Sequence, residues 1–320
     1  MKISIVIPVY NGAKTIPSLV ELLEKELTPH FDLEMVLVND GSPSDNSAEV
    51  CTRIALSNPK VKFLDLSSNF SEHNAVMAGL NYCSGEAAVI IDDDFQNPPV
   101  EIIKLVDKLN EGYDVAYSYY KKKEHHFLRN LGSRFNNIVA TVLLGKPRNL
   151  YLSSFKAISR FVIDELVKYK GPDPYIDGLI LRFTRNCGRV QVEHHPSLKD
   201  TSGYTLHKLI SLWLRMFTNF SILPLRTVTV LGFLFAVAGF AGAILFTIEK
   251  LRNPDLPAGW ASLIISLFVI SGVQLFALGM LGEYLGRLFL KDNGKPQFVI
   301  RRAVNCQEHK PNSHSCQKEF

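Results

Sequence analysis

Three consecutive aspartates, Asp92, Asp93 and Asp94, close the apolar run Ala87 to Ile91 and lead into Phe95-Gln96-Asn97-Pro98-Pro99. An uncharged run of this kind reads as a buried strand, which brings the carboxylates out together at its C-terminal edge. Open α/β sheets bind their ligands at that edge. Like charges held this close repel strongly unless a cation sits among them. An oxygen-only donor set favours Mg²⁺ or Mn²⁺, ions that typically bridge one or two carboxylates to a substrate's phosphates. A lone Asp pair would read as an acidic surface turn; the company these residues keep argues otherwise.

The elements that must position them recur along the first hundred residues. Lys2 to Val9 is a strand ending in Tyr10-Asn11, and Leu19 to Leu27 has helical spacing. Glu34 to Val38 repeats the pattern, an apolar strand with the polar tip Asn39-Asp40-Gly41-Ser42. Val61 to Leu66 is a third strand, followed by a helix predicted over Asn74 to Tyr82, and the aspartate strand comes fourth. Strands alternating with helices at this spacing indicate βαβ units and a mostly parallel sheet. Right-handed crossovers then place Asn11, Asp40 and Asp92 to Asp94 on one rim. No GxGxxG follows the first strand, so a dinucleotide fold has no support.

Taken together, Val6-Ile7-Pro8-Val9-Tyr10-Asn11, Asn39-Asp40-Gly41-Ser42 and Asp92-Asp93-Asp94-Phe95-Gln96-Asn97-Pro98-Pro99 resemble the signatures of inverting GT-A glycosyltransferases. The last stretch is similar to the Asp-x-Asp-Leu-Gln-x-Pro-Pro segment of polyprenyl-phosphate glycosyltransferases, which include dolichol-phosphate mannose synthases and undecaprenyl-phosphate sugar transferases. The resemblance covers residues 1 to 215. It implies a nucleotide-sugar donor, a polyprenyl-phosphate acceptor and a divalent cation. By position, Asp92 and Asp94 would hold metal and diphosphate with Gln96 as a further ligand. Asp40 would meet the base or ribose, with Asp93 beside the nucleotide sugar and Pro8, Tyr10 and Asn11 forming the pocket wall. Asn69-Phe70-Ser71 and Ala78-Gly79-Leu80 fit the next helix of the family, in a packing role. Phe95 replaces the usual Leu without changing polarity.

Two departures stand out. Where many relatives carry Gly-Asp-Phe-Arg-Leu, this chain has Ser153-Ser154-Phe155-Lys156-Ala157, and a serine cannot act as a base at neutral pH. Asp177 is the nearest alternative carboxylate for a catalytic role, or else a helix N-cap. The arginine that clamps the donor phosphates has no counterpart near His194-His195-Pro196-Ser197-Leu198-Lys199; Lys199 offers the charge without a bidentate grip. The His pair lacks a third ligand at metal spacing and reads as structural.

Two late uncharged stretches, Thr227 to Ile248 and Leu256 to Gly282, each exceed the roughly 20 residues needed to cross a bilayer. Their short connection makes a hairpin. Arg226 before it and Arg287, Lys291, Lys295, Arg301 and Arg302 after it place both ends in the cytoplasm by the positive-inside rule. The chain opens on a strand, so no signal peptide is expected. Apolar residues at 206, 209, 210, 213, 214 and 217 share one helical face, which reads as an interfacial helix or a domain-packing one. Arg129 and Ser133 are one helical turn apart and can grip one phosphate; in the resembling synthases such a pair binds the acceptor phosphate. Lys121 and Arg134 stand beside them, the lysine run being free instead to meet solvent or anionic headgroups.

The expected organisation is a cytoplasmic GT-A domain over 1–203, an amphipathic interfacial helix over 204–223, a two-helix transmembrane hairpin over 224–290 and a largely disordered cytoplasmic tail over 291–320. The tail's Cys306, His309, His314 and Cys316 match no zinc-finger spacing. A net charge of +4 argues against nucleic acid as the main partner. Five cysteines without a CxxC pair fit a reducing compartment. The expectation is therefore an enzyme of the bacterial inner membrane, homo-oligomeric by analogy, that moves a sugar onto polyprenyl phosphate. A processive polysaccharide synthase is disfavoured by the absence of Gln-x-x-Arg-Trp. A non-catalytic nucleotide-sugar sensor in a transporter is disfavoured by spans that carry no ionisable residue. An inactive scaffold is disfavoured by the intact Asp92/Asp94/Gln96 set.

Overall fold

The computed structural model describes residues 1–120, 150–172, 174–193, 195, 223–252, 259–292 and 296–306. Its residues fall into two units, 1–203 with 296–320, and 204–295.

The first unit is built on a sheet whose strands are β1 (Lys2–Val9), β2 (Asp32–Asn39), β3 (Val61–Leu66), β4 (Ala87–Ile90), β5 (Val115–Tyr119), β6 (Lys156–Ser159), β7 (Cys187–Gln191) and β8 (Ile300–Val304). They lie in the order β7-β5-β6-β4-β1-β2-β3-β8. β1 pairs in parallel with β2 and β4, β2 with β3, and β5 with β7. β6 runs antiparallel between β4 and β5, and β8 antiparallel along β3. The predicted parallel core is thus present with two reversed strands added to it.

Helices cover both faces, as parallel strands buried on each side require. On one face, α1 (Ile16–Leu27) buries Ile16, Leu19, Val20, Leu23 and Leu27, and α4 (Glu101–Asn110) buries Ile102, Leu105, Val106 and Leu109. These spacings are single helical stripes, and they pack with Ile3, Ile5, Ile7 and Val9 of β1. α2 (Ser47–Ser57) adds Cys51 and Ala55 to the same core. On the other face α3 (Glu72–Tyr82) lies close to β1 and β2 because position 79 is glycine. A Cβ there would come within 2.5 Å of Val6 Cγ1 and 3.2 Å of Val38 Cγ2. α5 (Arg160–Leu166) and α6 (Ile176–Phe183) also belong to this unit.

Within the stretch expected as a largely disordered tail, 291–320, residues 296–306 need correction, and 307–320 lie outside the described residues. Ile300–Val304 is the edge strand β8, paired from Phe63↔Val304 to Leu66↔Ile300. Beyond it Asn305, at φ 57°, donates to the carbonyls of Ala55, Asn58 and Val61. The adjacent Arg301 and Arg302 hid this strand in the sequence, where they read as topology signals. An edge strand facing solvent tolerates such charges.

The second unit contains α7 (Leu223–Arg252) and α8 (Trp260–Asp292). At about 1.5 Å per residue both exceed the roughly 30 Å hydrocarbon core of a bilayer. Among the described residues one segment, Val269–Gly286 of α8, is long and apolar enough to cross it, with mean hydropathy 1.3. The apolar part of α7, Val228–Gly242, is shorter. Phe233, Phe240, Leu275, Phe276 and Phe289 are all exposed along these helices. The predicted interfacial helix lies outside the described residues.

Candidate active site

β1, β2 and β4 are parallel neighbours, so their C-terminal tips meet on one rim. A cavity of about 340 Å³ opens there. Pro8, Val9 and Tyr10 line it from the end of β1, Asp40 from the end of β2, and Asp92, Asp93 and Asp94 from the end of β4. Asn69, Ser71 and Glu72 close it from the segment after β3. The sequence reading gave that segment a packing role. Its polar cluster follows a strand parallel to β2, so the crossover argument that gathers Asn11, Asp40 and the aspartates extends to it as well.

The three aspartates take different positions. Asp92 accepts from Ser154 Oγ at 2.9 Å. The register explains this contact: β4 and β6 pair Ile90 with Lys156, and two further steps bring Asp92 opposite Ser154. Burial, followed by the negative charge of Glu72, pushes the Asp92 carboxyl up to about 7, against the lowering effect of the Ser154 bond. Asp93 is buried and turns toward the start of α1, where Thr15 Oγ1 lies 3.4 Å from its Oδ2. A Cβ on Gly12 would sit 2.1 Å from that oxygen, so the carboxylate packs directly on the glycine backbone. Asp94 Oδ1 accepts from the Gln96 N–H at 3.1 Å across a turn in which Phe95 has φ 61°.

Asp40 is buried, and its Oδ1 accepts from the Phe70 N–H at 2.7 Å. Burial raises its pKa, the Phe70 and Ser71 amides pull it down, and Glu72 raises it again. Asn11, expected in the pocket wall, ties loops together. Its N–H donates to Ser42 Oγ at 3.0 Å and its Oδ1 accepts from the Ser44 N–H at 3.2 Å. Ser42 in turn donates to Asn39 Oδ1 at 2.6 Å, and Asn39 donates to Asp65 at 2.7 Å. The left-handed φ of Asn11, 52°, suits an asparagine.

Asp177 does not join this group. It stands inside the first turn of α6, whose N-cap is Tyr175, so the capping expectation is corrected. It is buried, ion-paired with Lys156, and accepts from Tyr117 Oη at 3.0 Å. Burial and the Asp177 charge hold the Tyr117 hydroxyl well above its usual pKa, so it stays a donor. A carboxylate so committed is a poor base. Gln96 lies next to the cavity in sequence without lining it, and its carbonyl accepts from the His195 N–H at 2.9 Å. Lys121, Arg129, Ser133, Arg134 and Lys199 lie outside the described residues.

Among the described residues, five carboxylates and no cationic side chain line this cavity. No preformed group of three or more metal-ligating side chains is present among the described residues. The carboxylate oxygens of Asp92 and Asp94 are donors of the kind by which Mg²⁺ or Mn²⁺ is held through one or two carboxylates and completed by substrate phosphates. The residues therefore fit such an ion.

The glycosyl transferase family 2 model matches residues 4–167, the stretch that contains every strand tip of the cavity. The chain belongs to glycosyl transferase family 2. It is a glycosyltransferase, and its relatives extend the likeness through the C-terminal helices. The undecaprenyl-phosphate 4-deoxy-4-formamido-L-arabinose transferase of Proteus mirabilis (strain HI4320) is 33% identical over 98% of this chain and 96% of its own length. That of Serratia proteamaculans (strain 568) is 34% identical over 99% and 97%. In fold, this family 2 glycosyltransferase is similar to glucosyl-3-phosphoglycerate synthase from Mycobacterium tuberculosis, solved with Mn²⁺ and UDP-glucose. The TM-score is 0.51 at 20% identity, covering 67% of this chain and 76% of that one. The GT-A fold implied by the motifs is thereby present.

Proposed function

We propose that this glycosyltransferase moves a sugar from a nucleoside-diphosphate donor to undecaprenyl phosphate, with inversion, at the cytoplasmic face of the bacterial inner membrane. One observation carries the reading: Asp92, Asp94 and Asp40 meet the Pro8–Tyr10 tip around a single cavity. Relatives along nearly the whole chain are named for transfer to undecaprenyl phosphate, which supports the acceptor.

Asp40 and the β1 tip receive the nucleoside, and Asp92 and Asp94 face its diphosphate. A divalent cation held by Asp92 and Asp94 would supply charge neutralisation for the leaving group. Ser154 keeps Asp92 aimed into the cavity and lowers its proton affinity. The acceptor phosphate is already an anion near neutral pH, so a serine at position 154 and a committed Asp177 leave no gap in the reaction. A phosphate oxygen forms the new bond to the anomeric carbon while the bond from that carbon to the diphosphate oxygen breaks. The diphosphate departs with the electron pair. Gln96 remains a further metal ligand in this scheme, with Lys199 on the donor and Arg129, Ser133, Arg134 and Lys121 on the acceptor phosphate. α7 and α8 form a membrane hairpin that keeps the site near the lipid, and the chain works as a homo-oligomer.

Purified full-length protein with Mn²⁺, undecaprenyl phosphate and a panel of UDP-sugars, UDP-4-deoxy-4-formamido-L-arabinose among them, tests this. The expected result is a lipid-linked sugar from one donor, abolished by EDTA. Asp94→Ala is expected to cut turnover by about two orders of magnitude or more. Equal turnover in that variant would sink the metal assignment. Nucleotide binding without any transfer would favour a sensor or scaffold.

A further inference from the structure

After α8 the chain continues into residues of the first unit, and Gln297 in this segment is buried. Its Nε2 donates to the carbonyl of Gly171 at 2.9 Å and lies 3.4 Å from that of Tyr169. The next carbonyl in that loop, Pro172, accepts from Asn74 Nδ2 at 3.2 Å, and the same amide donates to the Phe70 carbonyl at 2.6 Å. The Phe70 N–H is the one that holds Asp40, at 2.7 Å. Asp40, with Asn69 and Ser71 on either side of Phe70, lines the cavity. An unbroken run of hydrogen bonds and short peptide steps therefore leads from Gln297 to the cavity wall.

This run is separate from what docks the returning segment. The β3–β8 ladder, the Asn305 bonds and the contact from Arg302 to Thr52 hold it without help from Gln297. What Gln297 does instead is satisfy carbonyls of a tight loop, so closely turned that a Cβ on Gly171 would lie 2.3 Å from the Tyr169 hydroxyl. The buried Gly171 carbonyl, deprived of the Gln297 donor, would drive the loop to rearrange. Asn74 would then lose its Pro172 partner and its own fixed direction.

We propose that Gln297 is a positioning residue for the donor site, holding the 169–172 loop against Asn74 so that Phe70 keeps Asp40 aimed into the cavity. The inference rests on the reading of that cavity as the nucleotide site. It makes the segment after the C-terminal helix a determinant of donor affinity, with Gln297 acting on the site through Asn74 and touching no substrate.

Binding of UDP with Mn²⁺ to the full-length protein in detergent, followed by calorimetry, tests it with Gln297→Met, Gln297→Ala, Asn74→Ala and the Met/Ala double variant. Loss of one such bond is expected to weaken UDP binding about three- to tenfold. The Gln297 and Asn74 effects are expected to be non-additive, because both act through one chain of contacts. KM for the donor should rise with kcat and acceptor KM unchanged. Arg302→Ala, which loosens the same segment elsewhere, should lower Tm and leave UDP affinity intact. Wild-type affinity in both Gln297 variants, additive effects, or an equal loss in Arg302→Ala would overturn the proposal. Absence of UDP binding in the wild type would instead fell the nucleotide reading, and this inference with it.

Discussion

Glu34 shows how much a single buried carboxylate can do away from the catalytic rim. Burial would raise its pKa, but bonds from Lys62, Ser84 and Ser4 outweigh that and bring it from 4.5 to about 2. A folded-state value below the ordinary one means the ionised group stabilises the fold at neutral pH. That contribution, on the order of 3 kcal/mol, is fully present above about 4.5 and fades as pH falls toward about 2. Glu34→Gln should be less stable than wild type at neutral pH and lose less stability across that window, as urea unfolding at a series of pH values would show. At the rim, Ser154→Ala removes the donor that lowers the Asp92 pKa. The acid limb of Mn²⁺ binding should shift upward by about one pH unit, readable by electron paramagnetic resonance. Gly12→Ala would force the Asp93 carboxylate out of its place on α1. It should cost about 1 kcal/mol or more of stability and weaken nucleotide binding; an unchanged unfolding midpoint would count against this packing account.

Two reversed strands matter most among the elements. β6 lies antiparallel beside β4, and its register alone brings Ser154 to Asp92. β8 covers β3, which would otherwise be an open edge with unpaired backbone groups. Ending the chain at residue 295 should therefore lower the Tm of the first unit and promote aggregation, measurable by scanning fluorimetry and light scattering. A truncated chain as stable as wild type would show that β8 contributes nothing to the sheet. α3 depends on Gly79 for its close approach to Val6 and Val38, and through it for the position of Glu72 at the cavity.

For the whole molecule, an α/β unit is joined in sequence to two long helices whose large apolar side chains are exposed. The proposed hairpin predicts that the protein stays in the membrane fraction after an alkaline carbonate wash. It also predicts that cysteines introduced near residues 1 and 305 are both labelled only from the cytoplasmic side. Release by carbonate would reduce α7 and α8 to a peripheral role. The βαβ order, the rim and the aspartate cluster were legible because each rests on local periodicity and on crossover handedness. Glu72 and the β8 strand were not legible, since their roles depend on partners over a long sequence separation.

The amino-acid sequence by itself determined the parallel core, the carboxylate rim, the glycosyltransferase resemblance and the apolar C-terminal stretches. These follow from the spacing of side chains along short segments, where local sterics and burial decide. Only the tertiary structure decided what each carboxylate does. Asp93 lines the cavity while reaching toward Thr15 before α1, Asp177 is consumed by Lys156 and Tyr117, and Glu72 takes a place on the wall. The reason is that a carboxylate's availability depends on the donors that reach it, and those come from strands and loops far away in the chain.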